Sequence, residues 1–342
     1  MWKIYGQDHI LRQLEPSLRQ ARLGHAYLLI GPPHVGKMTL ALQLAQAVNC
    51  EYGPGIPCSA CTQCLRIAQG IHAAVRVIGV EQREEGEPTR TVIGIDEIKS
   101  ALRQVNLKAY EGNCSVIIFD HAESMSEAAA NALLKTLEEP PPQVLIMLLA
   151  EDEESLLPTL RSRCRLFTLL PVPKVTMVEK LISENHTDPA TAERVAILSR
   201  GCLGWAVTAS NEPQILEQLG ADLERIQETY HSGLEVRFNY AAELATRFSR
   251  DREPVKQLLF LWLRWWRDLL LLKEGAEDYV QNLDCMDQLL NQAAHLTTGQ
   301  VVDSVKRLQQ TLEGLDSNAN PRLALEVLML NLPTETATPG FK

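Results

Sequence analysis

The chain has 342 residues, too many for one compact core, so two or three domains are expected. Hydrophobic residues make up 45% and charged residues 22%, the proportions of an ordinary soluble globular protein. A formal net charge of −10 argues against broad electrostatic coating of nucleic acid, while leaving room for a local basic patch. The greasiest run, 258–272, carries Arg264, Arg267 and Asp268, which speaks against a membrane span. Residues 2–5 (WKIY) lead into folded-looking sequence with no signal pattern. The 8 cysteines are too few and too unevenly placed for a secreted disulfide scaffold; those between 50 and 64 suggest metal binding in a reducing cytoplasm.

Residues 7–22 carry apolar side chains at helical spacing, with Pro16 as a kink or boundary. A buried strand follows at 26–30, then GPPHVGKMT at 31–39, then a helix-forming run at 40–48. Strand, glycine loop with Gly31, Gly36 and Lys37, then helix is the layout of a phosphate-binding loop. There, backbone N–H groups and a helix N-terminus meet negative charge, and the lysine reaches the outer phosphates. One letter departs from that pattern. The residue after the lysine should carry a hydroxyl that ligates Mg²⁺ beside the nucleotide, and here it is Met38, whose thioether has little affinity for a hard ion. Thr39 comes one residue late, a turn of about 100° around the helix.

Cys50, Cys58, Cys61 and Cys64 form a C-x7-C-x2-C-x2-C array. Four thiolates complete a tetrahedral Zn²⁺ shell with no open position, so a structural metal that cross-links the loop is expected; reduced cysteines without metal are the alternative. A second strand is expected at 74–80, a polar surface loop at 81–90, and a helix from 94–96 to about 107 with Asp96 near its cap. A third strand, 115–120, ends in Asp120. An alanine- and leucine-rich helix at 126–137 is stopped by Pro140, Pro141 and Pro142, and strands follow at 144–150 and 166–169. Strands alternating with helices predict a parallel α/β sheet with ligands at the carboxyl ends of its strands.

Beyond Pro171-Val-Pro173 the strand pattern disappears. The expected organisation is an α/β domain over 1–171 containing the cysteine module (50–64), a small helical domain over 172–212, and a helical domain over 213–342. In the last, Trp262, Trp265, Trp266 and Leu269 fall on one helical stripe. Interleaved with arginine they could stack on bases, but the spacing favours core or subunit packing. Asn320-Pro321-Arg322 should cap the last amphipathic helix, and 151–154 reads as a solvated acidic loop.

The GHAYLLIGP run (24–32), the cysteine array, NALLKTLEEPP (131–141) and Ser162-Arg163-Cys164 occur together and in order. As a set they resemble the AAA+ subunits of the bacterial DNA polymerase III clamp loader, by motif over about 1–210 and by helical pattern beyond. The resemblance implies a P-loop AAA+ domain, a helical lid and a C-terminal collar, assembled with gamma/tau and delta subunits into a hetero-pentamer. That ring would load the sliding clamp on primer-template DNA in the cytoplasm, with no membrane involved. It also implies that ATP sits between neighbours, so each site needs a phosphate loop from one subunit and an arginine from the next. That arginine falls on Arg163, acting in trans on the neighbour's ATP; the alternative is a solvated charge at a strand start. Arg161 and Arg165 are bystanders and Cys164 a packing residue, and 138–139 are expected near a neighbour's surface.

Checked residue by residue, the departures from the resemblance share a direction. Met38 replaces the magnesium-binding hydroxyl. Asp120-His121 stands where the motif ends in Asp-Glu, and Glu123, two residues on, is expected to point elsewhere. Ala150-Glu151 replaces a polar threonine pair, and the lid stretch 201–205 (GCLGW) has no arginine. Each loss removes metal or charge stabilisation, so a subunit with a degenerate nucleotide site, not hydrolysing ATP/Mg²⁺, is expected. Gly31, Gly36, Lys37, Thr39 and Asp120 would be its remaining cofactor-facing residues. A working ATPase in which Thr39 and Glu123 take over, and a zinc-containing nucleic-acid-binding module, are the alternatives.

Overall fold

The computed structural model describes residues 2–20, 22–80, 92–105, 112–282, 285–317 and 319–333. The polar run at 81–90 and the end of the helix expected to reach 107 lie outside them. The chain separates into two compact units, Met1–Asn211 and Glu212–Lys342.

In the first unit, strands β1 (Ala26–Ile30), β2 (Val75–Ile78), β3 (Ser115–Phe119), β4 (Val144–Ala150) and β5 (Arg165–Thr168) form one sheet in the order β2-β3-β4-β1-β5. All its pairings are parallel. The three central strands are buried at every position, which is why they read as continuous apolar runs and not as alternating ones. Helices α1 (Asp8–Arg19), α2 (Lys37–Asn49), α3 (Thr62–Ala68), α4 (Ile95–Val105), α5 (Glu127–Glu138) and α6 (Pro158–Arg161) accompany the sheet. Two apolar clusters form around it. One joins Ile10, Leu14 and Leu18 of α1 and Leu40 and Leu44 of α2 to the sheet; the other includes Ala129, Leu133 and Leu137 of α5.

Pro16 does not end α1, which runs through it to Arg19. Ile10, Leu14 and Leu18, repeating every fourth residue, are fully buried and hold the helix in place despite the missing N–H. Asp96 lies near the cap of α4, as its second residue. Gly94 precedes the helix, and its N–H donates to Glu97 Oε2 at 2.7 Å, half of a capping box. Ser126 does cap α5, accepting from the Ala129 N–H at 3.2 Å. Three helices, α7 (Lys174–Ser183), α8 (Pro189–Leu198) and α9 (Leu203–Asn211), complete the unit.

The second unit is helical: α10 (Pro213–His231), α11 (Leu234–Arg250), α12 (Arg252–Lys273), α13 (Met286–His295), α14 (Thr298–Asp316) and α15 (Pro321–Asn331). Trp262, Trp265, Trp266 and Leu269 of α12 are all buried in its core. The indole N–H of Trp265 donates to Gln292 Oε1 at 2.7 Å, and Trp266 meets the Tyr230 ring edge-on at 5.9 Å. None presents a face to a base. Asn320 caps α15, accepting from the Leu323 N–H, with Pro321 at the first helical position.

Arg237 on α11 is the unit's least expected residue. Its side chain is buried, and six backbone carbonyls accept from it. Nε donates to Thr229 (3.2 Å) and Ser232 (3.0 Å), Nη1 to Met329 (3.3 Å) and Leu332 (3.0 Å), and Nη2 to Tyr230 (2.5 Å) and Pro333 (3.2 Å). These carbonyls close the C-terminal ends of α10 and α15. Helix ends leave carbonyls unpaired and carry partial negative charge, so one guanidinium satisfies two of them at once. Burial nevertheless pushes its pKa down from the usual arginine value. Among the described residues, no helix is long and apolar enough to cross a membrane.

Candidate functional site: the glycine loop, the cysteine module and Arg163

Gly31 follows β1, and its N–H donates to the Ala150 carbonyl at 3.3 Å, tying the loop to the end of β4. Gly36 takes the N-cap of α2 at φ +109°, a conformation that glycine adopts without strain. Lys37 opens α2, but its ammonium turns inward. It donates to the loop's own carbonyls, Gly31 at 2.6 Å and Pro32 at 3.2 Å. Burial pulls its pKa below the ordinary lysine value, while the charges of Glu151, Glu123 and Asp120 pull the other way. Met38 packs against the apolar cluster beside the sheet, and Thr39 lies exposed on α2.

Asp120 stands one residue past β3, its Oδ1 accepting from the His121 N–H at 3.2 Å. His121 is left-handed, at φ 52°, and starts a 3₁₀ turn over Ala122–Ser124. That turn corrects one expectation. It brings Glu123 back instead of letting it point away, so Glu123 Oε1 lies 3.2 Å from His121 Nδ1. Donor atoms of His121, Glu123 and Glu151 lie within 4.8 Å of one another. The hydrogen bond to Glu123 raises the pKa of His121 above the usual histidine value. Ala150 is buried as the last residue of β4, and Glu151 is exposed.

The lid stretch reaches the same loop. The Gly204 N–H donates to the His34 carbonyl at 2.9 Å. A Cβ built on Gly204 would stand 2.8 Å from that carbonyl oxygen, so a side chain at 204 requires one of the two backbones to move. Nothing in the sequence signalled this backbone contact.

The cysteine module is set by two helix ends. Cys50 is the C-cap of α2; Cys61 is the N-cap of α3, its sulfur accepting from the Cys64 N–H at 3.5 Å. Cys58 lies between them and accepts from the N–H groups of Ala60 at 3.4 Å and Cys61 at 3.2 Å, bonds that pull its thiol down to about 6. The sulfurs of Cys50, Cys58, Cys61 and Cys64 lie within 4.8 Å of one another, and Cys50, Cys61 and Cys64 are buried. The four cysteines could hold a metal ion. Four soft donors, supported by N–H···S bonds, fit a tetrahedral thiophilic ion such as Zn²⁺.

Arg163 follows α6 and turns back over it. Nη1 donates to the Thr159 carbonyl at 2.9 Å and to Ser162 Oγ at 3.3 Å; Nη2 donates to Glu138 Oε1 at 2.6 Å. Arg161 and Arg165 go elsewhere, to the Glu153 carbonyl (3.3 Å) and to Gln13 Oε1 (3.0 Å). Cys164 packs on the cluster that includes α5, and burial pushes its thiol up to about 12.

Residues 6–173 match the family described as "DNA polymerase III, delta subunit", and residues 235–334 the one described as "DNA polymerase III, delta subunit, C terminal". The chain belongs to the clamp-loader family of DNA polymerase III. It is similar to DNA polymerase III subunit delta' of Bacillus subtilis, 27% identical over 95% of this chain and 96% of that protein. It is also similar to DNA polymerase III subunit tau of Escherichia coli, 33% identical over 61% of this chain but only 32% of that protein, so the match spans about a third of that relative. Among solved structures, a DNA polymerase III gamma subunit-related protein from Thermotoga maritima aligns at 19% identity over 95% of this chain and 97% of that one, with a TM-score of 0.42.

Proposed function

We propose that this chain is a non-hydrolysing, delta-prime-type subunit of the clamp loader. In this reading it assembles with gamma/tau and delta subunits through its helical C-terminal unit, as a collar. It then supplies Arg163 to the ATP of a neighbouring subunit while the ring loads the sliding clamp on primed DNA in the bacterial cytoplasm. The observation that carries the reading is Met38, which packs with the apolar cluster beside the sheet and offers no oxygen to Mg²⁺ where a P-loop enzyme places a hydroxyl. The Gly204 N–H on the His34 carbonyl brings a stretch without arginine onto the same loop. Arg163, between α6 and β5 and 34% exposed, is the group left to act on another molecule's nucleotide.

Glu123 favours a second reading, an active ATPase. It lies beside His121 near Lys37, where a carboxylate could polarise water. A Mg²⁺-ATP turnover assay on the purified chain separates the two. The expected result is no turnover above that of Lys37→Ala; turnover at the rate of a P-loop motor, abolished by Lys37→Ala, would establish the second.

The cysteine module is proposed to hold one structural Zn²⁺, bound by Cys50, Cys58, Cys61 and Cys64, that fastens the end of α2 to the start of α3. Supporting residues around zinc are worth 10–100-fold in affinity, so loss of a ligand in Cys64→Ser should weaken binding by at least about 100-fold. Metal analysis after dialysis against a mild chelator checks this. About one zinc is expected in the parent and none in the variant; a parent that emerges without metal overturns the assignment.

A further inference from the structure

Both Nη atoms of Arg163 are engaged inside its own chain, by Glu138, Thr159 and Ser162. Yet its side chain is 34% exposed and that of Glu138 52%, so the pair is open to an incoming group. Glu138 is the last residue of α5, where the helix's terminal carbonyls make a carboxylate unfavourable and a nearby cation welcome. The Thr159 carbonyl belongs to α6, so the same guanidinium also closes that short helix. Only Nη2 bonds the carboxylate, through one N–H···O bond, and the charge it meets there is of the kind a phosphate would offer.

We infer that Glu138 is a positioning residue for Arg163, a resident anion that holds the guanidinium until the phosphate of a neighbour's nucleotide displaces it. This rests on the reading of Arg163 as the arginine given to that neighbour. Glu138 touches neither nucleotide nor reacting atoms; it acts only through Arg163. The exchange runs toward the nucleotide because a terminal phosphate carries more negative charge, and more acceptor oxygens, than one carboxylate. The hold is weak, as half-exposed ion pairs are, which sets its effect at about two- to fivefold and makes it sensitive to salt. A subunit outside the ring keeps its arginine paired with Glu138, and a correctly placed nucleotide takes it over.

The test uses the reconstituted assembly of this chain with its gamma/tau and delta partners, measuring ATP hydrolysis at subsaturating ATP over a salt series. Four forms are compared: parent, Glu138→Gln, Arg163→Ala and the double variant. Glu138→Gln keeps the shape and removes the charge. It should raise hydrolysis about two- to fivefold at low salt, with the gain shrinking as salt rises and vanishing in the Arg163→Ala background. A purely structural role for Glu138 would give loss, not salt-dependent gain. If Arg163→Ala lowers hydrolysis while Glu138→Gln leaves it unchanged or lower, the holding role is overturned and the function of Arg163 stands. If Arg163→Ala changes nothing, the assignment of Arg163 falls, and this inference with it.

Discussion

Replacing Arg163 by alanine is expected to lower ATP hydrolysis at the adjoining site of the assembled ring by about 10³-fold or more, with assembly intact. An arginine supplied from outside a phosphoryl-transfer site is worth 10³–10⁵ in rate, because it neutralises charge that spreads over the phosphate oxygens in the transition state. The expected specificity follows from where the side chain sits. Among the described residues, the hydrogen bonds of the Arg163 side chain go to the Thr159 carbonyl on α6, to Ser162 at the end of that helix and to one carboxylate at the end of α5. Its removal should therefore change the chain's own stability by no more than about 0.5 kcal/mol. Arg163→Lys should recover little, since a point charge cannot reproduce the fork. Single-turnover hydrolysis, with size-exclusion chromatography to confirm the ring, reads both effects. Because one site is affected, steady-state turnover of a ring with several sites should fall less than the single site does. Unchanged single-turnover rates would remove Arg163 from the chemistry.

Arg237→Ala is expected to destabilise the helical C-terminal unit by about 3–5 kcal/mol, the range for unmaking a buried charged network from one side. The guanidinium itself is costly to bury, and an apolar replacement regains that desolvation. The six carbonyls it leaves are not relieved. Each buried acceptor that loses its donor costs roughly 1–3 kcal/mol unless water reaches it. Arg237→Lys should fall between parent and alanine: an ammonium has three donors at one point and cannot span both helix ends. Denaturant unfolding followed by tryptophan fluorescence suits the test, because Trp262, Trp265 and Trp266 are buried in this unit. A loss below about 1 kcal/mol for alanine would mean that water replaces the guanidinium without strain.

The sheet was legible because its central strands are buried on both faces, and such strands read as unbroken apolar runs. The phosphate loop, the cysteine array and the cap Asn320 were legible because each is a local device, with its partner within a few residues or written as a fixed spacing. What escaped was long-range or conformational. The bond from Arg163 to Glu138 spans 25 residues, and the Gly204–His34 contact joins the lid to the loop. Glu123 was misjudged because a two-residue offset predicts direction only along a regular element, and the left-handed turn at His121 ends that regularity. Pro16 was overread as a boundary because one lost hydrogen bond was weighed without the three buried side chains on the same helix. Arg237 gave no signal at all; an arginine among helical neighbours looks solvated until the two helix ends it joins are placed.

The contacts of Arg237 also order events in time. Its bonds to Met329, Leu332 and Pro333 cross 92, 95 and 96 residues, among the longest closures in the unit. A chain emerging vectorially presents Arg237 well before the carbonyls that finish its coordination. The first unit, whose contacts close by residue 211, can consolidate while the second is still being synthesised. The second must hold α11 partly solvated until α15 arrives, since burying the guanidinium earlier would leave three of its acceptors missing. The complete fold of the helical unit should therefore appear late and all at once, gated by the arrival of residues 329–333.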